Sequence, residues 1–441
     1  MKTKLLTIFI LLFVSRINAQ NWTPCGQGID SMVQSSIIYN GELYIGGKFV
    51  NAGGVLVNHI AKWNGTTYTS LNGGVIGNFG TGVFALAEYN GELYVGGAFT
   101  SAGGVTANNI AKWNGLAWSN VGSGTNNYVQ TLTVYKGELI IGGGFTSVNG
   151  INANFIAKWN GTTWSNLEQG MNSEVRALAV YDSNLYAGGH FTSVNNNSNI
   201  RYIAKWNDTT WTSLGNGVDT FGVLAFCVYH GNLYVGGQFS NAGGSSANYI
   251  AKWDNQNWSN VGTGHNGPVY SLAVQSNCLF AGGEFDSTGI ILSNNIAKWN
   301  DTTWSALGTG VNHFVNCMTA DTLNNQLYVG GSFDSAGSFP ANNVAAWIQG
   351  TFSIKEFFEN NELKIYPNPS QSGNKIYLQT TSNSDRISIV NINGVGLLSF
   401  DVQNQKYISI DKNILPAGSF IVLVERDGLI IGAQKLIVFV E

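Results

Sequence analysis

The side chains able to do chemistry are few and scattered among these 441 residues. The five histidines, His59, His190, His230, His265 and His313, fall at unrelated places and lack the spacing of zinc ligands. Cys25, Cys227, Cys278 and Cys317 are as dispersed. Cys227 and Cys317 stand where, or near where, corresponding segments carry alanine, which fits small buried side chains better than a redox or metal pair. Neither a Gly-x-Ser-x-Gly elbow nor a Walker loop occurs. Glycosidase chemistry needs two carboxylates at a defined separation, and Glu174 with Asp219 is the pair that neighbouring elements could bring together. No catalytic residue, metal ligand or cofactor is assigned from these groups. Two readings stay open, a binding or adhesion module and a secreted carbohydrate-active enzyme.

The elements that position these groups repeat. A Gly-Gly pair begins at Gly46, Gly96, Gly142, Gly188, Gly236, Gly282 and Gly330, and each is followed by a phenylalanine, from Phe49 to Phe333. Later in each unit comes a tryptophan (Trp63, Trp113, Trp159, Trp206, Trp253, Trp299, Trp347), with a second aromatic five residues on. In the second unit, alternation predicts strands over Val83–Tyr89, Leu93–Val95, Ile110–Trp113 and 118–121, with Asn90-Gly91 and Asn114-Gly115 as hairpin turns. Four strands per unit at this period predict a β-propeller of seven blades over residues 20–354. The segment Asn21–Gly28 resembles a fourth strand and suits the outer place in the last blade; residues 350–354 compete for it.

Residues common to every copy are explained by packing, including the tryptophans, which could otherwise form a sugar platform. Function is expected where the copies differ, on the long-loop face at the channel mouth. The candidates there are Tyr128, Glu174, Asp219, Phe221, His313 and Phe314, whose rings could stack on a ligand and whose acids could accept hydrogen bonds. The Asn or Asp that recurs just before them (Asp30, Asn126, Asn172, Asp219, Asn266, Asn312) reads as a turn former.

A net charge of −4 excludes a basic nucleic-acid footprint or a polybasic membrane patch. Lys2, Lys4, the apolar run 5–14 and Ala19 read as a signal peptide over residues 1–19, and no later segment is expected to span a membrane.

After a polar link, residues 355–361, the repeat marks vanish and short alternating stretches predict a small Ig-like β-sandwich over 362–441. The fold class expected is therefore all-β. The repeat resembles the kelch repeat of propellers, with Gly-Gly-x-Phe and Asn-x-Ile-Ala-Lys-Trp strings marking a sister pattern. The strings Ile365-Tyr366-Pro367-Asn368-Pro369, Asn391-Ile392-Asn393-Gly394 and Leu415-Pro416-Ala417-Gly418 resemble the type A C-terminal sorting domain of the type IX secretion system. That resemblance implies a Bacteroidota-type bacterium, passage through the periplasm, a type IX translocon as partner, and delivery to the outer-membrane surface or beyond. A glycan or protein is the expected extracellular ligand.

Overall fold

Alternating apolar and small residues form strands throughout. This computed structural model describes residues 22–348 except 79, then 363–366, 375–380, 386–391, 396–401, 408–411, 415, 418–426 and 429–438, and no helix occurs among them. The second unit runs Gly82–Tyr89, Glu92–Ala98, Ile110–Trp113 and Trp118–Asn120, antiparallel in that order from inside to outside. Its first turn has Asn90 at φ 51° and Gly91 at φ 75°, the pair of positive angles that matches a two-residue hairpin to strand twist.

Among the described residues there are seven such four-stranded sheets in the first of two units, Met1–Gln349. The innermost strands touch one another in a closed circuit, the seventh (Val315–Asp321) meeting the first (Val33–Tyr39). The unit is a seven-bladed β-propeller. Its last blade takes its outer strand from the start of the described chain: Trp22–Pro24 pairs with Val344–Ile348, Trp22 opposite Trp347. The competing segment, 350–354, lies outside the described residues.

Two contacts, repeated at every seam, explain the recurrent residues. A Cβ on the first glycine of each pair would stand 2.3 to 2.7 Å from a valine methyl of the next blade, and Gly330 against Val33 closes the series. Glycine is needed there for close approach. Farther out, the second aromatic of each unit donates to a carbonyl of the preceding blade. Trp118 Nε1 reaches the Leu71 oxygen at 2.7 Å, Trp304 the Val261 oxygen at 2.9 Å, and Trp22 the Leu307 oxygen at 2.9 Å, while the Tyr68 hydroxyl reaches the Cys25 oxygen at 2.8 Å. The indole is thus buried with its one donor satisfied.

A third staple is incomplete. Tyr39, Tyr89, Tyr135, Tyr181 and Tyr229 each donate to a backbone oxygen in the first turn of the next blade, and Gln275 bonds to Asn325. Blade seven carries Asp321 in this place. A carboxylate cannot donate to a carbonyl, and Asp321 accepts from its own neighbour Asn324 instead. A cavity of about 290 Å³ opens beside it between blades seven and one.

The long loops between second and third strands are more regular than expected. Six carry a small two-residue-per-strand hairpin, such as Ser147–Val148 with Ile151–Asn152, and blade four has a single bridge from Val194 to Asn197.

The second unit, Gly350–Glu441, has a three-stranded sheet (Leu363–Tyr366, Lys375–Thr380, Ile408–Asp411) and a four-stranded one (Gly396–Asp401, Arg386–Asn391, Gly418–Arg426, Leu429–Val438). Ile365, Ile376 and Leu378 of one sheet share a buried cluster with Ile387, Ile389, Val422 and Val424 of the other, which makes the unit a two-layer sandwich. Tyr366 is exposed and stacks on Tyr377, and Gly418 opens a strand. Pro367, Asn368, Pro369 and Gly394 lie outside the described residues.

Candidate functional site

The second glycine of each pair shapes the channel mouth. A Cβ there would lie 1.9 to 2.3 Å from the carbonyl oxygen of the residue before the inner-strand valine, so only glycine lets the two strands run this close. At the same point every inner strand carries a β-bulge. The ladder jumps from Val33 to Ser35, from Val129 to Thr131, from Val175 to Ala177, and likewise in the other blades. The skipped residue is unpaired, and a bulge re-aims its side chain.

In blade order these residues are Gln34, Phe84, Gln130, Arg176, Leu224, Tyr270 and Asn316. All seven line one cavity of about 370 Å³, joined by His190 and Gln238 from the position after the glycine pair. This is near the lower end of the roughly 300–1,000 Å³ typical of small-molecule sites. The valines before them are alike in all seven copies, whereas the skipped residues range from amide to aromatic to cation.

The carboxylates at the mouth are already engaged. Glu174 accepts from the Tyr128 hydroxyl at 2.5 Å, pairs with His190 Nδ1 at 2.7 Å and lies 3.6 Å from the Arg176 guanidinium. The His190 hydrogen bond, opposed by burial and aided by Tyr128 and Arg176, holds the Glu174 carboxyl at about 2. Burial, reinforced by Glu174, pushes the Tyr128 phenol up to about 12. Glu284 is likewise held, accepting from the Tyr270 hydroxyl at 2.6 Å. Glu174 is thus an anion at neutral pH with no proton to donate as a general acid.

Among the sequence-predicted residues, Tyr128 and Glu174 come together, and Tyr128 sets its ring edge on Phe84, 6.2 Å between centroids. His313 packs on Phe314 at 3.9 Å, and Phe314 meets Tyr270 edge-on at 6.3 Å. Tyr128, Glu174 and Phe314 thus touch residues of the lining, and His313 touches Phe314. Phe221 is 71% exposed and lies outside the lining.

Asp219 has a different task from the one expected. Its oxygens accept from the backbone N–H groups of Ser240 and Asn241, both at 3.0 Å, and from both of those side chains. Burial opposes its ionisation, but these hydrogen bonds outweigh it and hold the carboxyl at about 2. The recurrent Asn or Asp is therefore a staple across about twenty residues rather than a local turn former. Asn126 takes the N–H groups of Thr146 and Ser147, and Asn172 those of Thr192 and Ser193. Blade two lacks the residue and uses a strand instead, Val75–Ile76 pairing with Ser101–Ala102. The pairing of Glu174 with Asp219 as two free carboxylates is not formed.

Away from the carboxylates, burial shifts three thiols and the His265 imidazole. Burial pushes the thiols of Cys25, Cys227 and Cys317 up to about 12, and the four cysteines are unpaired. His265 occupies a place where other blades have Ile29, Met171, Val218 or Val311; it lies against Phe285 and Trp304, and burial pushes it down to about 3. Neither of its ring nitrogens has a hydrogen-bond partner. Among the described residues no group of three or more His, Cys, Asp or Glu could hold a metal ion.

Comparison with known proteins agrees with this division. Residues 364–439 match the secretion system C-terminal sorting domain, and residues 89–114 match a β-propeller domain of unknown function, DUF5122. No curated protein matches. Among solved structures, the extracellular domain of a putative one-component system from B. thetaiotaomicron aligns with 89% of this chain and 48% of its own, at 12% identity and a TM-score of 0.53. PorZ, a surface component of the type IX secretion system of Porphyromonas gingivalis, aligns with 93% of this chain and 60% of its own, at 13% identity and a TM-score of 0.48. The chain thus spans about half to three-fifths of these two proteins, and the first likeness concerns fold alone. The protein is a β-propeller carrying a type IX sorting tail that directs it to the cell surface or into the medium.

Proposed function

We propose that this protein is a non-catalytic binding module whose ligand, an extracellular glycan or protein, enters the channel mouth on the long-loop face. The observation that carries this reading is the ring of bulged residues. The scaffold repeats in every blade, yet the seven side chains turned into one cavity do not. A repeating fold does not itself dictate their identity, and loops on a rigid frame are where recognition concentrates. The engagement of Glu174 and Glu284 by hydroxyl and imidazole groups speaks for binding over hydrolysis, because neither carboxylate stands free to act as acid and base.

In this reading, residues 1–19 are a leader removed on export, 20–354 are the kelch-like passenger, 355–361 a link, and 362–441 the segment read by the type IX translocon. The purified, exported protein is tested against glycans and surface proteins, with Phe84→Ala and Gln130→Ala beside Asn114→Asp on the opposite face. Loss of binding in the first two and not the third is expected; the reverse would place the site on the tight-turn face. Deleting residues 362–441 is expected to leave the propeller in the periplasm, and normal delivery of the shortened chain would remove the tail from the account.

A further inference from the structure

We infer that the mouth takes an uncharged carbohydrate, bound at the end of its chain; this rests on the reading of the mouth as the ligand site. The first ground is the hydrogen-bonding capacity left over. Gln34, Gln130 and Gln238 make no side-chain hydrogen bond within the described residues, and the Gln34 Oε1 atom is shielded from solvent without any partner. A primary amide offers an acceptor and two donors, the complement of a sugar hydroxyl that both donates and accepts. Such a group left unpaired in a shielded place carries a desolvation cost that a ligand hydroxyl recovers.

The second ground is the charge balance. Arg176 and His190, the basic side chains of the lining, both face Glu174, while Lys48 stands over the Phe84 ring, 6.0 Å from its centroid, and Glu284 is held by the Tyr270 hydroxyl. An ionic ligand that drew on Arg176 or Glu174 would have to break that network. An uncharged one leaves it intact.

The third ground is the placement of the rings. Phe84 belongs to the second blade and Tyr270 to the sixth, so with three blade steps separating them around the ring of seven they stand on nearly opposite sides, with amides on both arcs between. An aromatic face carries the negative end of the ring quadrupole and suits the polarised C–H face of a pyranose, which leaves the equatorial hydroxyls to the amides. The size of the cavity sets the last term. About 370 Å³ encloses a chain end and not a crossing polymer.

The test uses the full exported protein and short cello-, xylo-, malto- and chito-oligosaccharides, with oligogalacturonate as the acidic probe and a panel of unstructured peptides beside them. Binding of at least one uncharged oligosaccharide is expected by calorimetry. Its affinity should hold between low and high salt, and fall tenfold or more in Gln130→Ala, Gln238→Ala and Phe84→Ala at unchanged melting temperature. Removal of hydroxyls from the non-reducing terminal sugar, by a deoxy-sugar probe, should abolish it. Preference for oligogalacturonate, or for a peptide that the same three substitutions release, overturns the sugar assignment and leaves the mouth as the site. Sugar binding that ignores all three substitutions overturns the mouth itself. Failure of every uncharged probe to bind overturns the inference.

Discussion

The seams between blades and the mouth of the channel are built from the same strands, yet they obey opposite rules. At a seam the same contacts recur: a glycine hydrogen under the next blade's valine, and an indole N–H, or at one seam the Tyr68 hydroxyl, on the previous blade's carbonyl. At the mouth, one residue further along, the backbone repeats and the side chains do not. The bulge separates the two. It frees a single position from the packing demands of the sheet, so that a closed and highly constrained fold carries one ring of positions whose identity it does not govern.

Substitutions at the two regions should therefore part company. The largest effect is expected from Trp22→Ala, which empties a buried aromatic site and unlinks the strand that joins the two ends of the propeller. A loss of about 3–5 kcal/mol is expected in denaturant unfolding; a loss below about 1 kcal/mol would mean that the seams do not bear the stability assigned to them.

His265 tests a seam that carries a polar group in an apolar place. His265→Val restores the side chain found at the same place in other blades, Val218 and Val311. A gain of about 1–3 kcal/mol is expected at neutral pH from removing two unpaired nitrogens. The sign with pH follows from burial, which holds the imidazole neutral in the fold, near 3 against an ordinary 6.5. Below pH 6.5 the unfolded chain takes up a proton that the folded chain refuses. Stability is full above pH 6.5 and falls as the pH drops toward 3, by at most about 1.4 kcal/mol per unit. The His265→Val protein should lose this part of the slope; an identical pH profile in both proteins would show that His265 is not buried neutral.

Smaller still is the staple. Asn126→Ala leaves the N–H groups of Thr146 and Ser147 without their acceptor and is expected to cost about 1 kcal/mol. A matching loss from Asn172→Ala, and a null effect from an exposed Asn outside the series, would confirm that the recurrent position works across loops. The smallest change is expected at the mouth itself. Phe84→Ala and Gln130→Ala should move stability by no more than about 0.5 kcal/mol while they alter binding. A large drop in melting temperature in either would place these residues among the scaffold and erase the contrast.

Much of the seam was legible in the residues alone, because glycine pairs and aromatics recur at fixed intervals and strands announce themselves by alternation. The N-terminal segment was legible as a candidate outer strand, with residues 350–354 in competition, and the pairing of Trp22–Pro24 with Val344–Ile348 shows it in that place. The candidate residues and the cavity lining fall on opposite sides of the valine. Tyr128, Glu174 and Phe314 precede it, whereas the lining follows it, at Gln130, Arg176 and Asn316. A bulge reverses which face a residue takes but leaves no residue type behind to mark it, so strict alternation misplaces these side chains. The signal that could have found them was the contrast of an unvarying valine with a varying neighbour. The Asn and Asp staples were misread for a related reason: an Asx side chain in a loop is a turn former by default, and only tertiary structure brings the second loop within reach.

The clasp between Trp22 and the last blade bears on how the chain acquires its shape in time. Blades one to six are each made from one continuous stretch and can form as soon as that stretch is free, whereas the seventh pairs Trp22 with Trp347, from the two ends of the propeller. Contacts of such long range are slow to find and come last. The ring should hence assemble as an open arc whose exposed edge strand, Val344–Ile348, waits for the N-terminal segment. That wait is the interval in which another chain could pair with the edge. The seam formed at the end, between blades seven and one, is also the one whose staple position holds no donor, and so should be the first to reopen under heat or denaturant.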